Sequence, residues 1–147
     1  MAKVVALAPF QFGAVHLQLQ YRDQRKAVRI VCNIDRHAPI LPCFSALNIL
    51  CFADIVKVKL GNIMFRASKG LLCNALQRRF GIMRGDVRNN RLFKNVYCRT
   101  TLKAHCISVQ GPKFFNSLPL YLKCEVNSKS FNRQIKYYYL ASYVNVS

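Results

Sequence analysis

Acidic side chains are the scarcest chemistry in this sequence: five Asp and Glu in 147 residues, against 23 Lys and Arg. They are Asp23, Asp35, Asp54, Asp86 and Glu125, and none is adjacent to another. A two-metal nucleotidyl-transfer site needs carboxylates held close together to bind its ions, so no catalytic residue of that kind is assigned, and the chain is read as no enzyme in its own right. Glycine is also sparse, at six, and neither a phosphate-cradling glycine loop nor a nucleophile elbow occurs. His105 and Cys106 are neighbours, but neighbours on an extended segment point to opposite faces, which argues against a Cys-His catalytic pair. The seven cysteines (32, 43, 51, 73, 98, 106, 124) are odd in number and lack the close pairs that zinc ligands need. The three histidines (16, 37, 105) do not complete such a site. Buried thiols serving as small hydrophobes are the expected role, and no metal or cofactor is expected.

Long unbroken apolar runs are missing too. "APILPCFSALNILCFADIVKV" (38–58) has the length of a membrane span, but Pro39, Pro42, Asn48 and Asp54 interrupt it. "MAKVVALAPFQFGAV" (1–15) is a poor signal peptide, broken by Pro9 and Gln11. The expectation is an intracellular chain, cytoplasmic or nuclear, neither secreted nor in a membrane.

What is present is apolar substance and positive charge. With 52% hydrophobic and 12% aromatic residues, the chain has enough side chain for the core of one domain and does not read as disordered. The formal net charge is +18. A single-sign field of that size repels itself and draws polyanions through counterion release. RNA or DNA backbone is the favoured partner and an anionic membrane surface the second. A merely basic, soluble surface is the plain alternative. No small-molecule substrate is indicated.

Residues 1–20 show no clear period. From Tyr21 onward, Arg22, Arg25, Lys26 and Arg29 fall at i, i+3, i+4 and i+7, one face of a helix over 21–34, with Ala27, Ile30, Val31 and Ile34 on the other side. Like charges at those spacings repel by some tenths of a kcal/mol per pair; a bound polyanion would offset this, and a plain solvated face is the other reading. A second helix is expected over 52–66, on Phe52, Ile55, Val56, Leu60, Ile63 and Met64, with Asp54 and Lys57 outward and Gly61 a local weakness. Residues 66–96 are rich in Arg, Asn and Gly; a short helix near 71–79 leads into a long basic loop over 80–97. The β-branched residues of "CRTTLKAHCISVQGP" predict a small β-hairpin or extended segment near 98–112. Phe114, Phe115 and Leu118 then give a short helix its apolar side before Pro119. A final helix over 128–142, capped by Asn127 or Ser128, puts Phe131, Ile135 and Tyr138 opposite Lys129, Arg133 and Lys136. The fold class is mainly α: several short-to-medium amphipathic helices and a minor β element.

The order of these motifs resembles a known family. "YRDQRKAVRIVCNIDRHAPILPCFSALNILCFADIVKVKLGNIMF" (21–65) is similar to the segment after the polymerase core in reverse transcriptases of non-LTR, jockey-like retrotransposons, where "lqKrAvRii" precedes "pLf..LnIL...di...k...fm". "RNNRLFKNVYCRTTLKAHCISVQGPKFFNSLP" (88–119) resembles their "RT.l...si...GPk.WNsLP", and "SKSFNRQIKYYYLASY" (128–143) their "s...FKr.LK.yLl". The likeness covers about 120 of the 147 residues, in order, leaving 1–20 as an unmatched segment before a reverse-transcriptase-like region at 21–147. Two departures stand out: Phe115 where the family usually has tryptophan, and Asn132 where it often has lysine. The resemblance implies a C-terminal remnant of an RNA-directed DNA polymerase, lacking the polymerase carboxylates. It also implies that "GPKFFNSLP" (111–119) is a structural corner. A basic tail after the thumb would lie along nucleic-acid backbone. That makes Arg22, Arg25, Lys26 and Arg29 the expected phosphate contacts, with Arg78, Arg79, Arg88 and Arg91 as a looser second patch. Two alternatives remain: a structural fragment that docks on an upstream reverse transcriptase core, and a co-opted RNA- or DNA-binding module.

Overall fold

A computed structural model describes residues 14–82 and 93–144. Its helices are α1 (Ala14–Cys32), α2 (Leu41–Ala46), α3 (Phe52–Ser68), α4 (Asn74–Gln77), α5 (Thr101–Ala104), α6 (Ile107–Ser117), α7 (Leu120–Lys123) and α8 (Ser128–Val144). The chain is mainly helical, as its periodicity implies. Helix α1 runs unbroken through residues 20 and 21.

Three helices stop in the same way. Asn33 (φ 49°), Asn48 (φ 54°) and Gly70 (φ 70°) take the left-handed conformation that asparagine and glycine tolerate best. The next residue then reaches back five positions: Ile34 N–H to Arg29 O at 3.1 Å, Ile49 N–H to Phe44 O at 2.9 Å, Leu71 N–H to Arg66 O at 2.8 Å. Asn127 opens α8, its side-chain oxygen accepting from the Lys129 N–H at 3.0 Å.

The β element expected near 98–112 is not found there: α5 and the first turn of α6 occupy it. Thr100, read as a strand residue, instead accepts the Lys103 N–H on its hydroxyl at 3.4 Å. Val109, Pro112 and Phe115 recur at a helical interval and are all buried, so core packing overrides β-branched propensity. An antiparallel bridge does occur between Ile82 and Phe93, within the stretch expected to be a basic loop. Residues 83–92 of that expected loop lie outside the described residues.

The core sits where α3, α6 and α8 meet, with α2 closing one end. A chain of rings runs through it: Phe65 stacks on Phe131 at 4.4 Å, Phe131 lies 6.2 Å from Phe115, Phe115 5.5 Å from Phe93, and Phe93 6.3 Å from Phe80. Two glycines set how closely the helices approach. A Cβ on Gly111 of α6 would lie 2.5 Å from Met64 Sδ, and one on Gly61 of α3 2.8 Å from Ile135 Cδ1. Gly61, a weak point by helix propensity, is therefore where α8 packs down on α3.

Apart from the exposed Lys113, the residues of "GPKFFNSLP" have structural tasks. Gly111 lets α6 approach α3, and Pro112, Phe114 and Phe115 are buried. The Asn116 amide accepts from the Phe93 N–H at 3.2 Å and donates to the Phe93 carbonyl at 2.7 Å, holding that segment as a paired strand would. Ser117 Oγ donates to Phe114 O at 2.6 Å, and Pro119 caps α7. Most of the string is thus the second half of α6, and the turn itself comes at Leu118 and Pro119.

Candidate nucleic-acid interface

Helix α1 carries the stripe Arg22, Arg25, Lys26 and Arg29 as expected, but its two faces are oriented differently from the sequence reading. Gln24 lies on the inward side together with Tyr21, Val28 and Cys32, which pack against the core; the Gln24 amide donates to Leu50 O at 2.9 Å and accepts the Phe52 N–H at 2.8 Å, joining α1 to the open N-terminus of α3. Val28, one turn on, is buried at 5% exposure. Arg25 and Arg29 flank this inward side and are half-buried. The Arg25 guanidinium lies 5.4 Å from the Tyr21 ring centre, and Arg29 makes a long 3.5 Å contact to Ala38 O. The Nε atoms of both arginines are buried and find no acceptor among the described residues. Arg22 and Lys26 are exposed, with the exposed Asp23 beside them. Ile30 and Val31, expected to be the apolar underside, are 79% and 69% exposed, and Ala27 is exposed too. Only Ile34 of that set packs against the core.

Arg78 and Arg79 are both exposed at the end of α4. That helix is tied to the end of α3 by Gln77 Nε2 donating to Ala67 O at 2.6 Å. Arg88 and Arg91 lie outside the described residues. Among the described residues no hydrogen bond or ion pair joins the α1 cations to the α4 pair.

Asp54 and Lys57, read as outward-facing, are part of a polar knot instead. Asp54 is buried, accepts the Tyr143 hydroxyl at 2.5 Å, and pairs with Lys57 at 2.7 Å. The Tyr143 oxygen in turn accepts the Cys51 N–H at 3.1 Å. Burial, and then the bond to Asp54, push the Tyr143 hydroxyl far above the usual phenol range. Burial does the same for Tyr139, and also raises Tyr21 and the Cys51 thiol. These groups stay protonated at neutral pH, so they serve as hydrogen-bonding and packing groups and not as nucleophiles. Of the cysteines only Cys51 is buried; Cys73, Cys106 and Cys124 are exposed, which corrects the expectation of buried thiols. Their exposure follows from position, since all three lie at helix ends and not on packed faces: Cys73 and Cys106 are the N-cap residues of α4 and α6, and Cys124 is the C-cap of α7.

Lys59 and Arg66 of α3 and its C-cap Lys69 were not singled out in the sequence reading, which named only Lys57 among the cations of that helix. Lys59, Asn62, Arg66 and Lys69 fall at i, i+3, i+7 and i+10, a signal present in the spacing but passed over because only the apolar period of that segment was followed. No protein-family model, curated protein or solved structure matches the chain.

Proposed function

We propose that residues 21–147 are a post-polymerase remnant of a non-LTR retrotransposon reverse transcriptase, acting inside the cell as a nonspecific binder of nucleic-acid backbone. The ordered likeness of three motifs supports the origin. The observation that carries the binding is the charge: 23 cations against five acids, with Arg22, Lys26, Arg78 and Arg79 exposed and Asp54 withdrawn into the interior. Backbone contacts of this type position a strand without reading its bases. Arg25 and Arg29, half-buried, strengthen the local field more than they reach outward.

The test is a titration of the purified chain against a DNA duplex and a single-stranded RNA at several salt concentrations. Affinity is expected to fall steeply with salt, and changing Arg22, Arg25, Lys26 and Arg29 to Gln should flatten that dependence by roughly 1 unit of slope for each true phosphate contact. Absence of binding at low salt would sink the reading.

The exposed Ala27, Ile30 and Val31 favour a second reading, in which α1 docks on an upstream reverse transcriptase core. Contiguous apolar surface left open on a helix marks an interaction site or an aggregation liability. That surface borders the cationic one, since Ile30 follows the exposed Lys26 by one helical turn, so the two readings draw on adjoining parts of the same helix.

A further inference from the structure

Helices α3 and α8 run antiparallel. Asp54 meets Tyr143, Phe65 stacks on Phe131, and between them Asn62 Nδ2 donates to Asn132 Oδ1 at 2.9 Å. That last bond lies at the surface and marks the seam between the two helices. The register it fixes sets Lys59 opposite Lys136 and Arg66 opposite Lys129, with Lys69 at one end of the α3 row and Arg133 just outside the α8 row. Lys59, Arg66, Lys69, Lys129 and Arg133 are exposed and Lys136 is half-buried.

We infer that this seam, and not α1 alone, is a phosphodiester-binding surface, with one backbone strand lying along it between two rows of cations. It rests on the reading that the chain binds nucleic acid, and it assigns a different place on the molecule to that binding. Three features of the seam point to a polyanion. Its rows contain no acid: α8 has none, and the one acid of α3, Asp54, is buried under Tyr143. Like charges recur along the seam at one-turn spacings, Arg66 with Lys69 in the α3 row and Lys129 with Arg133 beside the α8 row, an arrangement that repels itself until an anion lies across it. The first turn of α8 carries Lys129 and no acid, although the positive end of a helix dipole disfavours a cation there. The dimensions also suit a strand. Lys59 to Lys69 spans roughly 15 Å at 1.5 Å per residue, and packed helices stand about 8–10 Å apart, within reach of one backbone from both sides. The Asn62–Asn132 pair keeps the floor of the seam neutral and polar.

The experiment changes Lys59, Arg66, Lys129 and Arg133 together to Gln, and compares the variant with one in which Lys94, Arg99, Lys103 and Lys113 are changed to Gln. All eight are exposed, and each set removes the same charge. Binding is read with a labelled DNA duplex and a labelled single-stranded RNA over a range of salt, and helix content and thermal midpoint are checked by circular dichroism. The seam variant is expected to keep its fold and to lose at least about tenfold in affinity near 0.1 M salt. Its salt slope should flatten by roughly 3–4 on duplex or roughly 2–3 on RNA, with the control set affected much less. Whichever nucleic acid shows the larger loss is the one the seam holds. Equal loss in both variants overturns the inference, because net charge then suffices. A seam variant that binds as wild type does also overturns it, while leaving the proposed function standing. If wild type binds neither nucleic acid, or binds only anionic phospholipid vesicles, both fall together.

Discussion

Tyr143 shows how one side chain joins separate parts of the fold. Its hydroxyl donates to Asp54 and accepts from the Cys51 N–H, fastening the end of α8 to the start of α3. Replacing it with Phe leaves the buried Asp54 oxygen and the Cys51 amide each short of a partner, at a cost of about 1–3 kcal/mol. The loss has a pH signature. A phenol whose folded pKa is raised binds its proton more tightly folded than unfolded, so its contribution is complete below the unfolded pKa of about 10 and fades as pH rises above that. Tyr21, Tyr139 and Tyr143 are all raised, burial being the largest cause in each. Wild-type thermal midpoints should therefore fall steeply above about pH 10, and Tyr143→Phe should show a lower midpoint at neutral pH with a shallower alkaline decline. An identical alkaline slope in the variant would show that Tyr143 takes no part. None of this was legible in the sequence, where Asp54 reads as an outward residue at a helix start. Its partner lies 89 positions away, and periodicity carries no information about such a pair. The string "GPKFFNSLP" was more readable: its lack of chemistry pointed to a structural task, although the Asn116 clamp on Phe93 needed the fold to reveal it.

At the scale of the element, α1 separates what periodicity can decide from what it cannot. The spacing of Arg22, Arg25, Lys26 and Arg29 against Ala27, Ile30 and Val31 gives two stripes correctly. Which stripe faces inward depends on what the neighbouring helix offers, and α3 offers unsatisfied backbone groups at its first turn that Gln24 meets. Gln24 therefore acts with Tyr21, Val28 and Cys32, which pack against the core on the same side, in setting the rotation of α1. Changing Ile30 and Val31 to Gln should then alter stability by no more than about 0.5 kcal/mol, as for ordinary surface sites, and should reduce self-association on expression. Gln24→Ala, which removes both bonds, should cost about 1–2 kcal/mol. Urea melts of the two variants decide the matter: a large loss for Ile30 and Val31 with none for Gln24 would restore the inward apolar face. Along 98–112 the same limit appears in another form. β-branched residues there suggested a strand, but local composition did not reveal that Val109 and Pro112 would be buried on a helix whose Phe115 joins the chain of rings.

Over the whole molecule the balance of charge dominates. Among the described residues one ion pair is formed, Lys57 with Asp54, so few of the described cations have a fixed anionic neighbour. Added salt therefore has little attraction to screen and much repulsion to relieve. The Debye length shrinks from about 30 Å at 0.01 M to about 10 Å at 0.1 M, close to the spacing of about 8–10 Å between the axes of packed helices. Folding stability should rise with sodium chloride across that range, whereas nucleic-acid affinity should fall over the same range by counterion release. The two trends share one cause, since the repulsion that weakens the free protein is what a bound phosphodiester strand relieves. Thermal melts at 0.01, 0.1 and 0.5 M salt, beside melts with a saturating DNA duplex or single-stranded RNA, test this directly. The nucleic acid should raise the midpoint most at the lowest salt, and the seam variant should show a smaller gain than wild type. A midpoint indifferent to salt would mean that the cations lie too far apart to repel, and would remove the physical reason for a polyanion to settle between α3 and α8.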